Sequence, residues 1–119
     1  VIELCRENKT ILSGNDDQGL PLMMCGGSGI ISVFSNLLPG VMKKITSHIL
    51  ADDYQAARDL HYKYLKLMRL IFVDVNPIPI KFAMQQVGLS NNILRRPLVN
   101  LSKEHQELIL TEMKELDIV

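Results

Sequence analysis

The chain has 119 residues, 47% of them apolar, and its 13 Lys and Arg balance 13 Asp and Glu. That is enough apolar material for a core at an ordinary domain length, and the zero formal charge offers no phosphate-tracking surface, which argues against a nucleic-acid partner. Ser, Asn, Pro, Lys or Arg interrupts every apolar run short of the roughly 18 residues that span a bilayer, so no membrane partner is expected.

Val1 to Lys9 reads as a helix entered midway, with Val1, Ile2, Leu4 and Cys5 apolar and no N-cap residue ahead of it, so a chain cut rather than begun is expected here. Thr10 to Ser13 and Gly29 to Phe34 are the strand candidates. The second is the stronger, because Ile30, Ile31, Val33 and Phe34 are β-branched or aromatic and lie between Gly and Asn breakers. Between them Asp16 or Asp17 caps a short helix ending at Gly26-Gly27, and Pro21 inside it implies a late start or a kink. Two β-runs joined by about a dozen residues of helical character read as part of a parallel βαβ unit. Parallel strands are buried on both faces, so two of them imply a larger sheet.

Leu37-Leu38-Pro39-Gly40 opens a helix to about Ala51, with Val41, Met42, Ile45, His48 and Ile49 on one face. Asp52-Asp53 then caps a long amphipathic helix to Phe72 or Val73 carrying Ala57, Leu60, Tyr64, Leu67, Met68 and Ile71. Asn76-Pro77-Ile78-Pro79 reads as a rigid extended turn, and Ile80 to Val87 as a helix closed by Gly88 at C′. Ser90 to Asn100 is loop. Ser102 caps a last helix with Leu108, Ile109, Met113 and Leu116 as its apolar stripe. Two strands followed by helices are what the end of a β/α barrel with a helical appendix would give. The expected fold class is therefore α/β, with residues 1–51 as the last barrel units and 52–119 as a C-terminal helical domain.

Several residue groups suggest chemistry and have plainer readings. Gly26-Gly27-Ser28-Gly29 lacks the Lys-Ser/Thr and helix start of a phosphate loop, so a helix C-cap and tight turn fit it better. Ser13-Gly14-Asn15-Asp16-Asp17 lies where a strand hands over to a helix, which in barrels is the substrate-binding rim. Gly there allows close approach of a ligand to the backbone, although by residue type helix capping is favoured for Asn and Asp. His48, His61 and His105 fall on three separate helices without a ligand-like partner, and Lys81 heads an amphipathic helix where a solvated lysine is ordinary. Cys5 and Cys25 make no metal or disulfide pattern and read as buried free thiols of a reducing cytoplasm. No metal or cofactor is implied.

Taken together, Leu12-Ser13-Gly14-Asn15-Asp16, Gly26-Gly27-Ser28-Gly29-Ile30-Ile31-Ser32-Val33, Phe72-Val73, Asn76-Pro77-Ile78-Pro79-Ile80-Lys81 and Arg96-Pro97-Leu98 resemble the C-terminal part of the dihydrodipicolinate synthase family. The resemblance implies a class I, pyruvate-dependent aldolase on a TIM (β/α)8 barrel, of which strands seven and eight and the helical C-terminal domain are here. It also implies a lyase that condenses pyruvate with aspartate semialdehyde through a lysine Schiff base, in diaminopimelate and lysine biosynthesis. The Schiff-base lysine, the proton relay and the substrate-binding arginine would precede Val1, so this chain alone is expected to be inactive. By the same resemblance Ile31 presents its backbone to pyruvate, Gly14 forms the pocket floor, and Asn15, Asp16 and Asn76 lie at the rim near the second substrate. A buried Ile31 side chain would exclude water while its carbonyl accepts a hydrogen bond, but by residue type Ile31 fits plain barrel core equally well. The implied partners are the missing N-terminal barrel half and further copies, as a dimer or homotetramer. Sialic acid lyase and keto-sugar acid aldolases share the superfamily. Val33, where sialic acid lyase typically has a serine, favours the shorter substrate. A noncatalytic assembly fragment is the reading from another class.

Overall fold

The structure is a computed structural model that describes residues 2–5 and 8–119; Val1, Arg6 and Glu7 of the first expected helix lie outside the described residues. The chain divides into two compact units, residues 1–63 and 64–119.

In the first unit a short helix α1 (Ile2–Cys5) precedes strand β1 (Leu12–Ser13), helix α2 (Asp16–Met24), strand β2 (Gly29–Ile30), a 3-10 turn (Phe34–Asn36) and helix α3 (Pro39–Leu50). The two strands form a parallel sheet, and α2, the crossover between them, packs on both strands and on α3. Asn15 occupies the N-cap of α2 in an extended conformation but makes no side-chain cap bond. The helix runs through Pro21, and Gly26 takes φ +103° just past its end, a conformation that Gly adopts without a Cβ penalty. Phe34, Ile45 and Met42 are among the buried side chains, and Met42, Ile45 and Ile49 fulfil the expected stripe of α3.

Strand β2 is much shorter than the Gly29 to Phe34 run its composition suggests. Val33 is already helical, at φ −76° and ψ −40°, and the next residues form the 3-10 turn. The reason is tertiary: the Asp16 carboxylate accepts the Val33 and Phe34 amides, so a buried acceptor overrides the β-preference of the local residues. Two further expectations fail here. Cys25, the C-cap of α2, is exposed, and Cys5 is half-buried.

Helix α4 (Tyr54–Leu70) begins in the first unit and ends in the second. Asp53 caps it by accepting the Ala56 amide at 3.2 Å. The second unit continues with α5 (Ile78–Gln86) and α6 (Lys103–Glu115), which pack together. Helix α5 starts two residues earlier than expected, because Pro79 falls in its first turn, where a missing N–H costs no bond. Gly88 follows with φ +75°, as a C′ residue should. Ser102 caps α6 by accepting the His105 amide. Ile109 and Met113 are fully buried, whereas Leu108 is 45% exposed and leaves the stripe; Glu112 is buried in its place. The Lys66 ammonium pairs with Glu112 and lies 3.3 Å from Glu115, joining α4 to α6.

Candidate functional site

The parallel register pairs Leu12 with Gly29 and Ser13 with Ile30. The Ser28 amide donates to the Ile11 carbonyl at 2.7 Å and the Ile31 amide to the Ser13 carbonyl at 2.8 Å, extending the ladder at both ends. Because the strands are parallel and in register, their C-terminal ends coincide. Gly14 and Asn15 leave β1 beside the point where Ile31 leaves β2.

The turn after β1 is pinned by Ser13. Its buried hydroxyl donates to the Asn15 carbonyl at 2.8 Å and accepts the Asn15 amide at 3.2 Å. Gly14 bridges this turn without a positive φ, and a Cβ added there would meet nothing within 4 Å. Neither backbone strain nor internal packing therefore requires glycine at this position. Gly14 is exposed at this end.

Asn15 is exposed at the same end, as a rim residue would be. Ile31 is placed beside Gly14, but its side chain is 65% exposed rather than buried as expected, since no further strand flanks β2 among the described residues. Its amide is committed to Ser13, and among the described residues no donor reaches its carbonyl.

Asp16 lies at the same end of the strands but is buried. Its side chain is only 1% exposed and points inward, with Oδ2 accepting Val33 N at 3.1 Å and Phe34 N at 2.9 Å. The capping reading is thus met in an unexpected form: Asp16 caps the distant 3-10 turn. The pattern that would have disclosed it, an acidic residue opening one helix and matched to a turn 17 residues later, has no local signature.

Asn76 belongs to the second unit, where it is exposed in the turn that precedes α5.

The plainer reading of the glycine run agrees with the geometry, whereas His61 is buried rather than at the surface and Lys81 is half-buried rather than solvated. Gly26 and Gly27 spend their amides on the Met23 and Leu22 carbonyls, closing α2. His48 meets Asp53 at 3.1 Å, His61 packs edge-on against Tyr62, and among the described residues no three His, Cys, Asp or Glu gather as a metal site. The Lys81 ammonium donates to the Ile93 carbonyl. Sequence reading missed one feature of the first unit, a cleft of about 320 Å³ lined by Ile30, Ser32, Ser35, Pro39, Met42, Lys43 and Thr46. Its one local signal is the Ser32-x-x-Ser35 pair, in which the Ser32 hydroxyl accepts the Ser35 amide at 2.8 Å.

A family model described as the dihydrodipicolinate synthetase family matches residues 1–116. The 4-hydroxy-tetrahydrodipicolinate synthase of Methanocaldococcus jannaschii is 38% identical over all of this chain and 42% of its own length, and that of Fervidobacterium nodosum is 40% identical over 92% of this chain and 37% of its own. The dihydrodipicolinate synthase of Thermotoga maritima superposes with a TM-score of 0.92 at 36% identity, covering 98% of this chain and 40% of that one. The Acinetobacter baumannii enzyme, solved in complex with pyruvate, superposes with a TM-score of 0.93 at 31% identity, covering 99% of this chain and 40% of that one. The chain thus spans about two fifths of the length of the curated relatives it matches.

Proposed function

Because the chain belongs to the dihydrodipicolinate synthetase family, we propose that it supplies strands seven and eight of a TIM barrel and the C-terminal helical domain of a 4-hydroxy-tetrahydrodipicolinate synthase, with residues 1–51 as the barrel part and 52–119 as the helical domain. The complete enzyme condenses pyruvate with aspartate semialdehyde through a lysine Schiff base, toward diaminopimelate and lysine. The lysine lies outside this chain, which by itself is inactive. The enzyme is cytoplasmic and works as a dimer or tetramer.

In this reading β1 and β2 furnish one wall of the pyruvate pocket. The observation that carries it is the in-register ladder that ends both strands together, its last bond running from the Ile31 amide to the Ser13 carbonyl, one residue before Gly14. Gly14 leaves room for the substrate carboxyl at the floor, and the Ile31 carbonyl faces the adduct as a fixed acceptor. Strand C-termini are where parallel barrels place their chemistry. Asn15 and Asn76 serve the rim toward the second substrate. The exposure of Leu12 and Ile31, at 45% and 65%, fits a surface that the remaining strands cover, since an open parallel edge is unfavourable in water.

The reading is tested with the chain joined to an N-terminal barrel portion. Coupled assays should show condensation of pyruvate with aspartate semialdehyde and no cleavage of N-acetylneuraminate. Faster turnover of the sialic acid would move the assignment to another pyruvate aldolase of the superfamily. A joined protein inactive on both would favour a noncatalytic assembly role.

A further inference from the structure

Among the described residues of the first unit, Asp16 carries the one buried carboxylate, at 1% exposure, and a role at the substrate rim does not explain its bonds. Its Oδ2 receives two main-chain amides, from Val33 at 3.1 Å and Phe34 at 2.9 Å, while Oδ1 is buried without a hydrogen-bond partner. Hydrogen bonds to an ionised acceptor are stronger and shorter than neutral ones. A buried carboxylate is retained only where its bonds compensate the lost hydration. Asp16 is the first residue of α2, immediately after Gly14-Asn15, and the two amides it holds follow Ile31 by two and three residues. One side chain therefore ties the exit of β1 to the exit of β2. On the other side, Ile31 is held by the Ser13 carbonyl at 2.8 Å.

We propose that Asp16 is a positioning residue that turns the chain after β2 and so fixes the direction of the Ile31 carbonyl toward pyruvate. This rests on the reading of Ile31 given above. The run Ile30-Ile31-Ser32-Val33-Phe34 prefers to continue as a strand, and in a strand successive carbonyls alternate in direction. With its amides captured by Asp16, Val33 turns helical instead, and Ile31 is left as the last residue of the ladder, with its orientation set from both sides. The substrate meets Asp16 nowhere. The effect reaches it through the main chain.

Two measurements test this. In the 119-residue chain, amide exchange followed by nitrogen-proton spectra should show Val33 and Phe34 losing protection at least tenfold in Asp16→Ala, with Asp16→Asn retaining part of it and the α6 amides unchanged. Unchanged protection at both amides overturns the proposal. In the chain joined to an N-terminal barrel portion, Asp16→Asn, which keeps the side-chain shape, should raise the KM for pyruvate several-fold and leave the KM for aspartate semialdehyde within twofold. A shift confined to the aldehyde KM would return Asp16 to the rim, and lost stability with neither KM moved would make it purely structural; either result overturns the proposal. A wild-type joined enzyme that forms no pyruvate adduct overturns the functional reading beneath it, independently of the exchange result.

Discussion

Gly19, in the middle of α2, lies against the side chain of Ile30 in β2, so closely that a Cβ at position 19 would stand 2.7 Å from Ile30 Cγ1. The helix rests on the strand because that position carries no side chain. Gly19→Ala should therefore destabilise the chain by about 1–3 kcal/mol, the usual range for an extra carbon in a filled interior, although Ala is the better helix former. Urea denaturation reads this directly. A stabilised variant would show that the helix-to-strand spacing is not fixed by Gly19.

Gly14 makes the opposite case. With open space where its Cβ would be and no positive φ, Gly14→Ala should leave stability within about 0.5 kcal/mol. If the open space is the pyruvate floor, the same substitution in the chain joined to an N-terminal barrel should raise the pyruvate KM roughly tenfold, equivalent to about 1.4 kcal/mol of lost binding. An unchanged KM would remove Gly14 from the pocket.

How much of this was readable beforehand depends on the range of the interactions involved. Helices α3, α4 and α6 follow from local signals: the proline at the start of α3, the Asp53 and Ser102 caps, and apolar residues at spacings of three and four. The parallel pairing of the two strands was legible because a crossover of about a dozen residues joins two β-runs. The end of β2 was not, because the β-branched run Ile30 to Val33 is overruled by a carboxylate 17 residues away in sequence. For the same reason residue type makes Asp16 a cap for its own helix, whereas in the fold it holds the amides of a distant turn. The burial of Glu112 was not legible either, because its partner Lys66 lies on another helix far away in sequence.

The chain alone should not be trapped by borohydride in the presence of pyruvate. Its best-placed lysine by sequence, Lys81, is half-buried and spends its ammonium on the Ile93 carbonyl. Mass spectrometry after reduction is the check. A reduced pyruvyl adduct on Lys81, or on any lysine of this chain, would place the nucleophile here after all.

The ion pairs between α4 and α6 should give the second unit a distinct alkaline limit. The hydrogen bond from Lys66 to Glu112, and then that to Glu115, raise the Lys66 pKa above its ordinary 10.5, with partial desolvation opposing. A lysine whose pKa is higher folded than unfolded stabilises the fold fully below the ordinary value and loses that contribution as pH climbs through the elevated one. Tyr54 titrates in the same direction and window, because its hydroxyl donates to Asp52 at 2.7 Å and its pKa is likewise raised, so the comparison belongs in a Tyr54→Phe background. There, Lys66→Met should lower the urea midpoint at about pH 8 by leaving the buried Glu112 carboxylate without its cation. The gap between the two proteins should close as pH climbs past the ordinary lysine value of 10.5 and through the raised one. Urea midpoints that stay equally far apart across that range would show that Lys66 contributes by packing its alkyl stem and not by its charge.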